Sequence, residues 1–190
     1  MYQSAKAAFI VGMALGDGNL SNPNGRAIRL RITCDTRYPN IITETIICLQ
    51  HLFPDNKVST IPRKDNCLDI SLYSNKLTEL LPWQAGKGSK YDQQARVPQW
   101  IQTNHQYIKA CLRGLILSDS SIYFDRGYKM VNFSTNIKPF VADVIFLIKA
   151  LHFKPTLSIT KQPSGKPKYT VRLSREADEF LDVIQLKEKT

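Results

Sequence analysis

Residues 10–18 read Ile-Val-Gly-Met-Ala-Leu-Gly-Asp-Gly, and residues 112–120 read Leu-Arg-Gly-Leu-Ile-Leu-Ser-Asp-Ser. Each is an apolar helical stretch with a glycine near its start and an aspartate at its end. Gly12 and Gly16 are four apart, as are Gly114 and Ser118, so each pair lies on one helical face. A glycine inside a helix costs about 1 kcal/mol relative to alanine, so small residues at matched positions imply a packing reason. Two such faces can meet backbone to backbone. The repeat predicts two similar halves and brings one acid from each, Asp17 and Asp119, to a shared site.

The surrounding pattern repeats as well. Residues 4–16 have helical spacing with Ser4 as N-cap. After an Asn-Pro-Asn-Gly turn at 22–25, residues 26–33 alternate with period two and predict a strand. A helix is expected over 39–53, strands over 57–63 and 67–73, and a short helix near 75–81. The second half predicts a helix at 105–118, strands near 120–125 and 128–134, and a helix at 138–152. Strands near 156–162 and 167–173 and a last helix at 175–185 complete it. Landmarks keep step: Thr33 and Ser134 lie 16 and 15 residues beyond their aspartates, and Leu68 and Tyr169 lie 51 and 50 beyond. The expected fold is α+β, as two α-β-β-α-β-β-α halves. The first covers residues 1–96 and includes a linker at about 82–97; the second covers 97–190.

The 190 residues suffice for a sizeable core. Lys and Arg number 26 against 16 Asp and Glu, a net charge of +10. That balance favours a polyanionic partner, nucleic acid first and an anionic membrane second. No segment has the apolar length of a membrane span, and no secretory signal is expected. Cys34, Cys48, Cys67 and Cys111 form no C-x-x-C pair, and His51, His105 and His152 lack metal-ligand spacing. Cys48 and Cys111 are expected in the core. A zinc site is not expected, and the compartment is read as reducing and intracellular, bacterial cytoplasm or an organelle such as a mitochondrion fitting equally. Gly86-Lys87-Gly88-Ser89 falls short of a phosphate-loop pattern and reads as a loop.

Strands with one apolar face need helices over that face and leave the other for a ligand. Ile28, Leu30 and Ile32 are expected inward, with Ala27, Arg29, Arg31 and Thr33 outward. Leu68, Ile70 and Leu72 face in, leaving Cys67, Asp69 and Ser71 out. Val171 and Leu173 face in, leaving Thr170 and Arg172 out. Arg29 and Arg31 on one face repel each other without an anion, which points to a nucleic-acid surface.

The two motifs, the element order and the segment Arg96-Val97-Pro98-Gln99-Trp100-Ile101 before the second motif resemble the LAGLIDADG homing endonucleases in their single-chain, two-repeat form. The second motif departs from the pattern at Leu117, Ser118 and Ser120, while Asp119 is intact. The resemblance implies that the motif helices form the interface between halves and that antiparallel sheets form a DNA-binding saddle. It implies metal-dependent hydrolysis of both strands across the minor groove, leaving short 3′ overhangs, by a monomer on a long asymmetric double-stranded target. Two carboxylates about 5 Å apart repel by roughly 3 kcal/mol at an effective dielectric of 20, and helix C-termini disfavour anions. Divalent metal relieves both. The implied ligands are Asp17, Asp119 and backbone oxygens at Gly16 and Ser118, which suits Mg²⁺, with Mn²⁺ as a substitute and Ca²⁺ binding without cleavage.

On that resemblance, outward side chains read bases in the major groove. They are Ser21, Arg29, Arg31, Ser59, Arg63 and Asp69 in the first half, and Tyr123, Asn132, Thr160, Gln162, Thr170 and Arg172 in the second. Lys64, Lys161, Lys166 and Lys168 at hairpin tips are expected on phosphates. A basic residue beside each scissile phosphate falls to Lys90 (or Lys87) and Lys187 (or Lys189). The alternative reading on the same fold is an RNA-binding intron maturase or a DNA-binding regulator that does not cut.

Overall fold

In a computed structural model, described over residues 3–163 and 165–186, the chain folds as two mixed α+β repeats joined along one pair of helices. Helix α1 (Ala5–Asp17) starts at Ser4, whose hydroxyl accepts the Ala7 N–H at 3.2 Å. Strand β1 (Gly18–Ser21) follows with no spacer, then β2 (Arg29–Asp35), α2 (Pro39–Leu52), β3 (Val58–Pro62), β4 (Cys67–Tyr73) and α3 (Leu77–Leu80). Beyond a short helix α4 (Gln99–Gln102), the order recurs. It runs α5 (His105–Asp119), β5 (Ser120–Asp125), β6 (Tyr128–Thr135), α6 (Lys138–Ala150), β7 (Thr156–Lys161), β8 (Pro167–Leu173) and α7 (Ala177–Val183).

The sheets are antiparallel and identical in order, β1-β2-β4-β3 and β5-β6-β8-β7. Their central registers correspond: Thr33 faces Asp69 and Ser134 faces Thr170. Leu30, Ile32, Ile70 and Leu72 of the first sheet and Val131, Phe133, Val171 and Leu173 of the second are buried, so one face of each sheet closes on the core. The first sheet departs from expectation at its start. Ala27 and Ile28 stay outside β2, because the Ile28 carbonyl accepts the Ser74 N–H and its N–H donates to Asn75 Oδ1. Helix α6 ends two residues early, where His152 takes a left-handed φ of 69°. Helix α7 is also shorter than expected, although Ile184 and Leu186 beyond it remain buried. Helix α4 is a single turn, too short for periodicity to announce.

The halves meet through α1 and α5. A Cβ built on Gly12 would lie 2.2 Å from the Cys111 carbonyl oxygen, and one on Gly114 would lie 2.4 Å from the Phe9 carbonyl oxygen. Each glycine faces the carbonyl three residues before the other glycine, as a twofold relation requires. Helix α1 is buried from Ala7 to Leu15, which is why its apolar residues run round the helix rather than along one stripe. Arg113 of α5 and Glu44 of α2 form an ion pair across the halves. Cys48 and Cys111 are buried, and burial pushes the Cys48 thiol up to about 11.

The connecting segment packs rather than dangles. Ala95 and Val97 are buried. Asp143 of α6, 3% exposed, accepts Arg96 at 2.7 and 3.1 Å and the Val97 N–H at 2.9 Å. The Lys166 ammonium sits 3.9 Å from the Tyr91 ring centroid, tying the segment to the β7–β8 hairpin. Among the described residues no helix is long and apolar enough to cross a membrane.

Candidate active site and nucleic-acid interface

Asp17 and Asp119 are the last residues of α1 and α5, and both carboxylates face outward. The close packing of these helices brings the ends together. A Cβ on Gly16 would lie 2.1 Å from Ser118 Oγ and 3.1 Å from Asp119 Cβ. The Ser118 hydroxyl folds back on the Gly114 carbonyl at 2.8 Å, so it occupies little more room than a glycine.

Two cavities flank the acids. The one beside Asp17, about 240 Å³, is lined by Thr33, Asp35 and Arg37 of its own half and by Leu117 and Ser118 of α5. The one beside Asp119, about 620 Å³, is lined by Ser134, Asn136, Lys166 and Lys168 of its own half, by Leu15 and Gly16 of α1, and by Lys90. Leu15–Gly16 and Leu117–Ser118 are related by the same 102-residue shift as the aspartates (119 − 17). Each cavity is therefore built by one half's acid and the other half's motif helix.

Lys90 reaches this centre from the connecting segment. Its Nζ donates to the carbonyls of Ala14, Leu15 and Gly16 at 3.1, 2.7 and 2.6 Å, capping the negative end of α1. It lies 5.4 Å from the Trp83 ring centroid. Burial pushes its pKa down to about 8, while Asp119 and Asp17 pull it back up. The protein packed around Asp119 raises that carboxyl's pKa, against the opposing pull of Lys90 and Lys168. Lys87 lies on an exposed loop. Lys187 and Lys189 fall outside the described residues.

The outer face of the first sheet corrects the expectation of two mutually repelling arginines. Arg31 NH1 lies 3.7 Å from Asp69 Oδ2, and Arg29 Nε donates to Ser21 Oγ at 3.1 Å. The missing anion is internal. Asp69 is on the outer face, as alternation implies, but it is only 7% exposed, because Thr33 donates to it at 2.8 Å and Arg31 and Arg63 cover it. Arg63 is held twice, by Asp65 through Nε and NH2 and by Asp69 at 3.6 Å through NH1. Ser71 is likewise buried on the outer face. Ser59 lies opposite Ser71 on that face, and Lys64 is exposed at the β3–β4 turn.

On the second sheet's outer face the arginine is held by uncharged partners. Arg172 Nε donates to Asn132 Oδ1 at 3.2 Å, and Asn132 Nδ2 donates to the Tyr123 hydroxyl at 2.8 Å. Ser134 and Thr170 hydroxyls are 3.1 Å apart. Thr160 pairs with Lys168, on the same face as Thr170 and Arg172. Lys161 pairs with Pro167 and therefore has the opposite parity. Gln162 lines the Asp119 cavity with Lys166 and Lys168.

Sequence reading missed some members of this surface. Asn19 stands opposite Arg31 and is exposed; β1 is only four residues long, so its alternation carried no signal. Tyr73, Ile61 and Tyr128 are also exposed, Tyr73 and Ile61 sharing the face of Asp69. Period-two alternation continued from Asp69 and Ser59 would have found Tyr73 and Ile61.

Residues 106–185 match the model of the LAGLIDADG-like domain. The fold of the whole chain is similar to that of the homing endonuclease I-DmoI. The structure of I-DmoI in complex with DNA and Mn superposes with a TM-score of 0.68 at 19% identity, covering 97% of this chain and 97% of that one. I-DmoI in complex with DNA and Ca gives 0.67 at 16%, covering 97% and 91%. The N-terminal LAGLIDADG domain of DUF199/WhiA gives 0.60 at 15%, covering 100% and 88%. No curated protein sequence matches the chain.

Proposed function

We propose that this chain, whose residues 106–185 are a LAGLIDADG-like domain and whose whole length has the two-repeat LAGLIDADG fold, is a site-specific endonuclease of double-stranded DNA. It hydrolyses one strand with each half and leaves short 3′ overhangs. The observation that carries this reading is the pair of motif acids at the adjoining ends of α1 and α5, each opening into a cavity built from both halves.

The donor set fits a hard divalent cation. Asp17, Asp119 and the Ser118 carbonyl would hold it through oxygen, and the Gly16 carbonyl would join them where the Lys90 ammonium gives it up. Among the described residues no cluster of three or more His, Cys, Asp or Glu is assembled to hold a metal ion, so backbone carbonyl, water and phosphate oxygens would complete the set. The metal, Mg²⁺ with Mn²⁺ as a substitute, supplies activation of water and stabilisation of the leaving 3′ oxygen. Ca²⁺ supports binding without cutting. The remaining work belongs to the chain. Lys166 and Lys168 draw phosphate toward Asp119, as Lys64 does at its hairpin. Lys90 places an ammonium where the two carboxylates and the negative end of α1 converge. Arg29, Arg31, Ser59, Tyr123, Asn132, Thr160, Thr170 and Arg172 face the major groove of a long, asymmetric site. Both motif helices belong to one chain, so the active unit is a monomer.

The alternative on the same fold is a DNA binder or an intron maturase that does not cut DNA. Selection of cleaved sites from a randomised double-stranded library with Mg²⁺ decides. Recovery of a long cut site with 3′ overhangs is the expected result. Specific binding with no cleavage would establish the non-cutting binder, and tight binding to an intron RNA instead would establish the maturase.

A further inference from the structure

We infer that each half carries one arginine that reads a guanine, Arg31 in the first and Arg172 in the second, from the equivalent cross-strand pair of its sheet, with Asp69 and Asn132 as their positioning residues. This rests on the DNA-binding reading above.

The two guanidiniums occupy the same cross-strand pair. Arg31 of β2 lies opposite Ser71 of β4, and Asn132 of β6 lies opposite Arg172 of β8. One shift of 101 residues maps Arg31 onto Asn132 and Ser71 onto Arg172 (132 − 31, 172 − 71). The arginine has moved to the neighbouring strand of the same cross-strand pair, a displacement of about 4.8 Å. A pseudo-twofold relation through the α1–α5 interface therefore sets the two guanidiniums at distances from the centre that differ by only about one strand spacing.

Each is also held by one edge only. Arg31 approaches Asp69 through NH1, and Arg172 donates to Asn132 through Nε. The acceptors are themselves fixed: Asp69 by Thr33 and Arg63, and Asn132 by the Tyr123 hydroxyl. Arg31 keeps its Nε/NH2 edge for a ligand, and Arg172 keeps its NH1/NH2 edge. A preoriented guanidinium edge on a sheet facing the major groove matches guanine O6 and N7, which accept two parallel N–H bonds. Arg63 is excluded from this role, since Asp65 takes its Nε/NH2 edge and Asp69 its NH1. Arg29 has no arginine at the corresponding pair of the second sheet, where Met130 stands.

The test is a binding selection with the full chain, a randomised double-stranded library and Ca²⁺, followed by sequencing of retained DNA. Wild type should enrich guanine at one position in each half-site, at distances from the centre that agree to within about two base pairs. Arg31→Ala should flatten one of them by about tenfold to a hundredfold and spare the other, and Arg172→Ala should do the reverse. Arg31→Lys keeps the charge but not the fork, so it should lose guanine discrimination far more than total retention. Asp69→Asn and Asn132→Ala should weaken preference at their own position alone; a merely structural role would weaken every position together. A retained motif in which these variants alter no position, or positions whose distances from the centre differ by more than this, overturns the inference while leaving the DNA-binding reading intact. Retention of no DNA at all overturns that reading first.

Discussion

The ammonium of Lys90 donates to the carbonyl oxygen of Gly16 at 2.6 Å, across 74 residues of chain. That contact places a cation at the motif end of α1, where the helix dipole is negative and the acids of both halves act on it. It also serves the Leu15 and Gly16 carbonyls at the helix end and shares the Ala14 carbonyl with the Gly18 N–H. The connecting segment is thus part of the centre.

Lys90 carries a pH signature. Burial holds its pKa near 8, below its ordinary 10.5. Between those values the unfolded chain binds more protons than the native one, so the stability contributed by this group rises with pH. The melting temperature of wild type minus that of Lys90→Met should increase from pH 8 to pH 10. A flat or falling difference would contradict a buried ammonium at this position.

The helix pair leaves no room for a side chain. At Gly12 and Gly114 even a methyl group would press on backbone, at 2.2 and 2.4 Å, and backbone cannot swing aside. Gly12→Ala and Gly114→Ala should each cost about 1–3 kcal/mol through overpacking, and leucine at either position should cost more. Urea unfolding with wild-type midpoints for either alanine variant would refute backbone-to-backbone packing.

Asp17→Asn and Asp119→Asn retain shape and remove charge. Each should abolish double-strand cleavage while binding to the selected site stays near normal or strengthens, because an anion close to phosphate is gone. Gel-shift and cleavage assays on one DNA measure both properties. Full cutting by both variants would remove the carboxylates from the mechanism.

Two ion pairs of similar geometry should behave differently. Asp143 is buried and accepts the buried Val97 N–H as well as Arg96. Asp143→Ala orphans that N–H and should cost about 1–3 kcal/mol, read from chemical denaturation. Arg37 and Asp35 form an exposed pair, so Arg37→Ala should leave the melting temperature unchanged.

The repeat, the α+β order and the packing of the motif helices were legible in the sequence because each has a local signal: a four-residue spacing of small residues, a period of 3.6 or 2, and capping or turn chemistry. Ser4, Gly12 and Gly114 act as their spacing implied. The sheet faces were legible for the same reason, since alternation separates Leu30 and Ile32 from Arg31 and Thr33. What each outward side chain does was decided only by tertiary structure. Asp69 and Arg31 are 38 residues apart in the chain, and alternation cannot say that register sets them diagonally so that the carboxylate is covered and the arginine held. Nor could spacing show that Lys90 would reach the Gly16 carbonyl, because that depends on how a turn-rich segment anchored by Asp143 folds back over α1. Local periodicity records which face a residue occupies; the partner it finds there is set by contacts between elements far apart in sequence.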